Sequence, residues 1–364
     1  MKRNFLMTAA VAITIALFCF TAQGKKPDKP GGGNGGGGGD VGAGQNGGGV
    51  IYFRFDNELF TMNDDGSDVT LVTGFPAGYQ AWGEPSRDLH ADKRWFVQIH
   101  GAGDGQGPDG YAREEFVALS DKGDAIQLPI ESNLDPMEEP KWVVGDEFIS
   151  WVGRRWENDP ASPNYGEILE GGLYLNALAF DSSGNIIGLA TPSVLLIPFP
   201  LVDGLYPEQD PKEPEIQSHD WAPDGSAFVF NTAQGELLIA DLEGEMPSFQ
   251  LVLPAGVVRT QTPKWSPAGD RFLVRYNEGN RSGVWVMNID GSDAKMLEGY
   301  RATSQPYVGV WSPRGSHLLY QHHDHFHEDS YIVRVQADGR GSTRISDQSL
   351  GAGFFPAFPL GWRD

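Results

Sequence analysis

The chain has 364 residues, including 48 Gly, 25 Pro and one Cys, and carries 49 Asp and Glu against 27 Lys and Arg, a formal charge of −22. That balance disfavours nucleic acid as a partner, because a phosphate backbone is held by clustered cations. A single cysteine leaves no disulfide framework, thiolate cluster or C-x-x-C redox pair.

Residues 1–24 read as a cleaved export signal. Lys2 and Arg3 precede an apolar run from Phe5 to Phe20, and small or polar residues (Thr21, Ala22, Gln23, Gly24) close it. The run is short for the roughly 20 residues of a bilayer crossing, so the mature form is expected to lack a transmembrane segment. Acylation at Cys19 is the other reading, although Phe18 stands where lipoprotein processing needs a small residue. Either way the expected location is periplasmic or extracellular. Residues 25–49 follow as a flexible tether, since 13 of the 19 residues from Gly31 to Gly49 are glycine. The folded part is therefore expected over residues 50–364, with a net charge of −25.

Within it three segments repeat: Asp220-Trp221-Ala222-Pro223-Asp224-Gly225, Lys264-Trp265-Ser266-Pro267-Ala268-Gly269 and Val310-Trp311-Ser312-Pro313-Arg314-Gly315. Their tryptophans are 44 and 46 residues apart, the period of propeller blades. Each Pro-x-Gly turn leads into an alternating strand, then a third strand and a second turn, as in Val284-Trp285-Val286-Met287-Asn288-Ile289-Asp290-Gly291-Ser292. Leu59 to Asp68 repeats that third strand and turn, and Trp82 and Trp142 open two more divergent units.

The domain begins at Val50 on a second strand and finishes with an orphan first strand around Phe358. Joining the two closes the ring and leaves no open edge. First strands at 82, 142, 221, 265, 311 and 358 give an all-β, six-bladed propeller of four-stranded antiparallel blades. Phe358 is expected at the place that Trp265 and Trp311 fill elsewhere. A seventh unit would have to lie in the wider spacings after Trp82 and Trp142. The longer of these holds Pro198 to Pro214, which does not alternate and reads as an insertion.

The Trp-Ser-Pro-x-Gly turn followed by Val-Trp-Val-Met-Asn-x-Asp-Gly-Ser resembles the repeat of the TolB-type, WD40-like propeller family, most strongly from Gln217 to Ile345. TolB itself carries a small α/β domain before its propeller, where this chain has a glycine tether. The same repeat occurs in prolyl-oligopeptidase-type peptidases, whose hydrolase domain finds no room here. It also occurs in oligogalacturonate lyases, for which the resemblance implies histidine-bound manganese.

Four insertions, His100 to Gly110, Gly153 to Glu170, Ser193 to Ile216 and Gln321 to Asp329, fall on one face of the expected disc, opposite the short turns. They hold 14 Asp and Glu against three Lys and Arg. Such a face favours a protein or peptide partner with a basic surface. His322, His323, His325 and His327 crowd one insertion. In extended chain His323, His325 and His327 point to one side, and with carboxylates nearby they suit a divalent ion such as zinc or manganese. A histidine tract on a surface without a metal is the other reading. His219, two residues before Trp221, either joins that cluster or is a hydrogen-bonded packing residue. Arg154, Arg155 and Trp156 form the one basic-aromatic group in the insertions and either anchor a ligand or pack on their own loop.

Two functions fit the whole. One is an exported, monomeric, non-enzymatic scaffold for a protein or peptide, needing no cofactor. The alternative is a metal-dependent polysaccharide lyase or hydrolase of oligogalacturonate type, using the histidine cluster.

Overall fold

The computed structural model describes residues 49–55, 58–72, 83–86, 93–106, 112–138, 140–190, 192–199, 216–244, 247–254, 263–278, 281–299, 304–324, 329–346 and 358–363. The export signal, the tether before residue 49, Trp82, His325 and His327 lie outside these residues. The described chain is all β and forms six antiparallel sheets, one per blade.

Blade 1 contains β1 (Val50–Phe55), β2 (Glu58–Asn63) and β3 (Thr70–Leu71), and blade 2 contains β4 (Trp95–Gln106), β5 (Ala112–Ser120) and β6 (Ala125–Leu128). Blade 3 is the largest, with β7 (Leu134–Pro136), β8 (Lys141–Trp142), β9 (Phe148–Trp156), β10 (Ile168–Phe180), β11 (Ile186–Leu189) and β12 (Val194–Pro198). Blade 4 follows with β13 (Ile216–Trp221), β14 (Ala227–Thr232), β15 (Leu237–Asp241) and β16 (Ser248–Leu253). Blade 5 has β17 (Lys264–Trp265), β18 (Arg271–Glu278), β19 (Arg281–Asn288) and β20 (Lys295–Gly299). Blade 6 has β21 (Ser304–Trp311), β22 (His317–Asp324), β23 (Asp329–Gln336) and β24 (Thr343–Arg344). The last strand, β25 (Phe358–Arg363), pairs with β1 and completes blade 1, so the sheet order there is β25-β1-β2-β3.

The core explains why the strands alternate as they do. Six apolar clusters form, and each is shared by two successive blades. The cluster of Tyr52, Leu59, Phe96, Val117, Leu119 and Leu360 joins blade 1 to blade 2 and so shuts the ring. The repeated tryptophans sit in these seams, and in three of them the indole N–H donates to the preceding blade. Trp142 Nε1 donates to Glu84 O (3.0 Å), Trp311 Nε1 to Lys264 O (3.2 Å) and Trp221 Nε1 to Ser150 Oγ (2.7 Å). One residue type thus supplies both the apolar area and the donor that the seam requires.

The Asp-Gly-Ser turns are built alike. Asn63 Nδ2 donates to Ser67 Oγ and Asp65 Oδ1 accepts from Ser67 N, both at 2.9 Å, and Asn288, Asp290 and Ser292 repeat both bonds at the same lengths. Gly66 and Gly291 take φ of 88° and 79°, which a residue with Cβ enters only under strain. These hydrogen bonds to serine hold the Asp65 and Asp290 carboxyls below the usual carboxylate range. The aspartates serve the turns.

Two expected positions are corrected by register. In every complete blade the inner-strand tryptophan lies opposite the second residue of the second strand: Trp142 against Ile149, Trp221 against Phe228, Trp265 against Phe272 and Trp311 against Leu318. In blade 1 the residue opposite Ile51 is Trp362, 5% exposed, and not Phe358, which pairs with Arg54. The turn that normally counts the register is absent there, because first and second strands come from opposite ends of the chain. In blade 2 the equivalent position belongs to Pro85, which bridges Phe96, and not to Trp82. Ser86 then repeats the hydrogen bonds of Ser266 and Ser312: its amide donates to Trp95 O (2.7 Å), and its hydroxyl accepts from Trp95 N (3.1 Å).

Candidate functional site

Three of the insertions continue the blade as lengthened hairpins. β4 and β5 remain paired to Gln106 and Ala112, β9 and β10 to Trp156 and Ile168, and β22 and β23 to Asp324 and Asp329. Paired backbone extends the blades outward on the face opposite the short turns.

The blade 3 hairpin carries Arg154, Arg155 and Trp156. Arg154 and Trp156 share a strand face, and the guanidinium lies 5.0 Å from the centre of the indole ring. Arg154 Nε is also 3.2 Å from Asp135 Oδ2 on β7. Arg155 points to the other face, where Nε donates to Glu170 Oε1 at 2.7 Å and Nη1 to Asn133 Oδ1 at 3.3 Å. Both arginines are therefore held in place by intramolecular partners. Beyond them the turn is fixed by Glu157 N to Glu167 O (2.9 Å) and Gly166 N to Glu157 O (2.8 Å). Tyr165 and Leu169 are each 52% exposed beside the exposed carboxylates of Asp159 and Glu167. The hairpin end combines uncovered apolar area with negative charge on a rigid stem.

The histidines are placed differently from one another. His322 and His323 lie on strand β22, and successive residues there face opposite sides. The His322 ring stacks on Tyr331 at 4.7 Å between centroids, and its Nδ1 is 2.8 Å from Glu298 Oε1 of blade 5. His323 Nδ1 is 2.6 Å from Ser330 Oγ. His325 and His327, the other members of the expected metal set, lie outside the described residues. Among the described residues no three His, Cys, Asp or Glu side chains gather as a metal-ligand set.

His219 is fully enclosed on β13. Its Nε2 lies 2.7 Å from Ser150 Oγ, the same oxygen that accepts from Trp221 Nε1, so Ser150, His219 and Trp221 tie blade 3 to blade 4. Burial, with the Lys141 charge adding to it, pushes His219 down to about 3. The unfolded chain protonates this group near 6.5, so its stabilising contribution is fully present above that pH. As pH falls from 6.5 toward 3 the unfolded chain takes up a proton that the folded one refuses, and stability declines by at most about 1.4 kcal/mol per pH unit. Urea titrations of His219→Asn across this window should show a shallower acid limb than the parent. Parallel limbs would reject the assignment.

At the axis, Lys264 Nζ of blade 5 forms an ion pair with Glu84 Oε1 of blade 2, the side chains being 12% and 24% exposed. Burial, with Arg363 nearby, pushes the Lys264 ammonium down to about 7. Direct contact with the Glu84 carboxylate opposes that shift and holds the proton in place. These axial residues are missed when motifs are read singly. Aligning the repeats on the tryptophan column puts Lys141, Asp220 and Lys264 in one preceding column, but Glu84 lies two residues after Trp82 and joins that column only through the Pro85 bridge.

No family model matches the chain, and no curated protein matches it in sequence. Among solved structures it is similar in fold to TolB from Acinetobacter baumannii, at 15% identity and a TM-score of 0.49, over 84% of this chain and 65% of that one. A putative TolB from Agrobacterium tumefaciens matches at 14% identity and a TM-score of 0.48, over 85% of this chain and 91% of that one. A chain of the nidogen/laminin complex matches at 10% identity and a TM-score of 0.50, over 86% and 97% respectively. The chain thus spans slightly less than two thirds of the Acinetobacter protein. At these identities the likeness is one of fold: a six-bladed β-propeller whose structural neighbours include TolB-like proteins.

Proposed function

We propose that this chain is an exported propeller that holds a protein or peptide partner in the cell envelope, without chemistry of its own. The observation that carries the reading is the blade 3 hairpin, where the Arg154–Trp156 stack stands with exposed Tyr165 and Leu169 among carboxylates. A large aromatic on a rigid support forms an interface anchor at low entropic cost, and the surrounding negative charge selects a partner with a basic surface. The presence of a propeller of this fold in the nidogen/laminin complex, an assembly of proteins, is in keeping with such a role. The partner would be recovered on the immobilised chain from an envelope extract and its affinity then measured with purified components. Trp156→Ala should weaken binding by at least about tenfold, the loss of an interface anchor. Leu251→Ala, on the outer strand of blade 4, should leave it unchanged, and added salt should weaken it further. Equal affinities for the parent and Trp156→Ala would reject the hairpin as the binding surface.

A further inference from the structure

The height of a blade on the insertion face follows from how far its second strand runs past the residue opposite the inner-strand tryptophan. In blade 4 that residue is Phe228, and the hairpin closes at Thr232. Asn231 pairs with Leu237, Thr232 N donates to Glu236 O (3.1 Å) and Gly235 N to Thr232 O (2.9 Å). Both neighbours run further. In blade 3 the strand continues from Ile149 to Trp156, still paired with Ile168, and in blade 5 from Phe272 to Glu278, paired with Arg281. Blade 4 is therefore a sill between two walls, about 10 Å below Trp156 and about 7 Å below Glu278 at roughly 3.3 Å per residue. Sheets packed face to face lie about 10 Å apart, so the notch between the walls is as wide as the one sheet it lacks. That is room for a single polypeptide segment.

Alternation decides what faces this notch. Val152 packs with Phe228 and Phe230 of blade 4, whereas Ile149 and Trp151 pack toward blade 2. Arg154 and Trp156 follow Val152 at even spacing, so they stand on the blade 4 side, the guanidinium 5.0 Å from the ring centre. The sill presents acceptors. Gln234 Oε1 is buried and has no hydrogen-bond partner among the described residues, and Glu236 Oε2 accepts from Thr232 Oγ1 at 3.2 Å. Burial raises the Glu236 carboxyl, a cost that an arriving cation offsets. Glu157, Asp159 and Glu167 add negative charge at the top of the blade 3 wall, where Arg154 is already matched by Asp135.

We infer that the notch above blade 4 seats a single basic segment of the partner chain, lying between the blade 3 and blade 5 hairpins with an arginine or lysine over the sill. The inference rests on the proposed binding role and narrows it, from the end of one hairpin to a segment enclosed on two sides. Trp156 supplies apolar contact along the wall, and Gln234 and Glu236 accept from the segment's N–H donors. A flat protein surface would rest on the walls and leave the sill untouched.

Fluorescence anisotropy on the full chain at pH 7 and fixed ionic strength tests this with two labelled decapeptides, one alternating arginine with serine and one alternating glutamate with serine. The arginine peptide should bind and the glutamate peptide should not. Inserting Thr-Asn-Gly-Thr between Ala233 and Gln234 lengthens the blade 4 hairpin to the height of blade 5 and should abolish binding. The same insertion in the turn between Glu278 and Arg281 raises a wall and should leave affinity unchanged. Glu236→Gln, which keeps the shape of the sill, should weaken the arginine peptide by about tenfold, one charge-assisted hydrogen bond. Thermal melts establish that each variant is folded. Should Trp156→Ala weaken the peptide while the raised sill and Glu236→Gln do not, the hairpin reading stands and the notch falls. Should the sill variants weaken it and Trp156→Ala not, the notch stands without the hairpin anchor. No binding of the arginine peptide, or equal binding of both peptides, overturns the inference.

Discussion

Removal of residues 358–364 is expected to abolish cooperative folding of the propeller near room temperature. The deletion takes away β25, exposing the whole edge of β1, and strips Leu360 and Trp362 from the two clusters that join blade 1 to blades 2 and 6. Truncating a buried tryptophan alone costs about 3–5 kcal/mol. Domains are stable by only about 5–15 kcal/mol, so losing the strand, its ladder and two core side chains removes most of that margin. The point substitutions make the sharper test. Trp362→Ala should lower the melting temperature by about 10 °C, taking roughly 2–4 °C per kcal/mol for a domain of this size. Phe358→Ala, at a half-buried position opposite Arg54, should cost far less. Thermal unfolding followed by circular dichroism decides the matter. A larger loss at Phe358 than at Trp362, or a normal melt after the deletion, would refute closure in this register.

The second large effect belongs to the axial ion pair. Lys264→Met should destabilise the fold by about 3–5 kcal/mol, because it leaves the Glu84 carboxylate enclosed without its partner. Replacing both members, as Glu84→Leu with Lys264→Met, should recover most of that loss, since two apolar side chains of similar size carry no desolvation penalty. Both variants are read by urea denaturation against the parent, with the slope checked for two-state behaviour. If Lys264→Met costs under about 1 kcal/mol, or the double variant is no better than the single, the pair is not a strut across the axis.

Turns and seams were legible from the start because they are local. A Pro-x-Gly or Asp-Gly-Ser turn is specified by three or four neighbouring residues, and a repeated tryptophan signals a repeated seam. From these alone the six blades, their strand order and the closure by a C-terminal strand follow, and the topology agrees. Local signals also placed His322 and His323 on opposite faces, since alternation is a property of any extended strand.

Sequence determined the kind of unit and how often it recurs; tertiary structure decided which residue of a strand meets which partner. Phe355-Pro356-Ala357-Phe358 imitates the spacing before Trp265, yet Trp362 fills the seam, because register in blade 1 is set by packing against Ile51 and Pro85 with no turn to count from. Pro85 replaces Trp82 for the same reason: the bridge to Phe96 and the Ser86 hydrogen bonds fix the level. The insertions likewise reach further as strand than their sequence signals, since Arg154 to Trp156 continue a paired strand whose hydrogen bonds come from β7 and β10. Glu84 and Lys264 are 180 positions apart and carry no mutual mark in the chain. Only a closed ring brings opposite blades to one axis, and there the distance between two side chains depends on the number of blades and not on their separation in sequence.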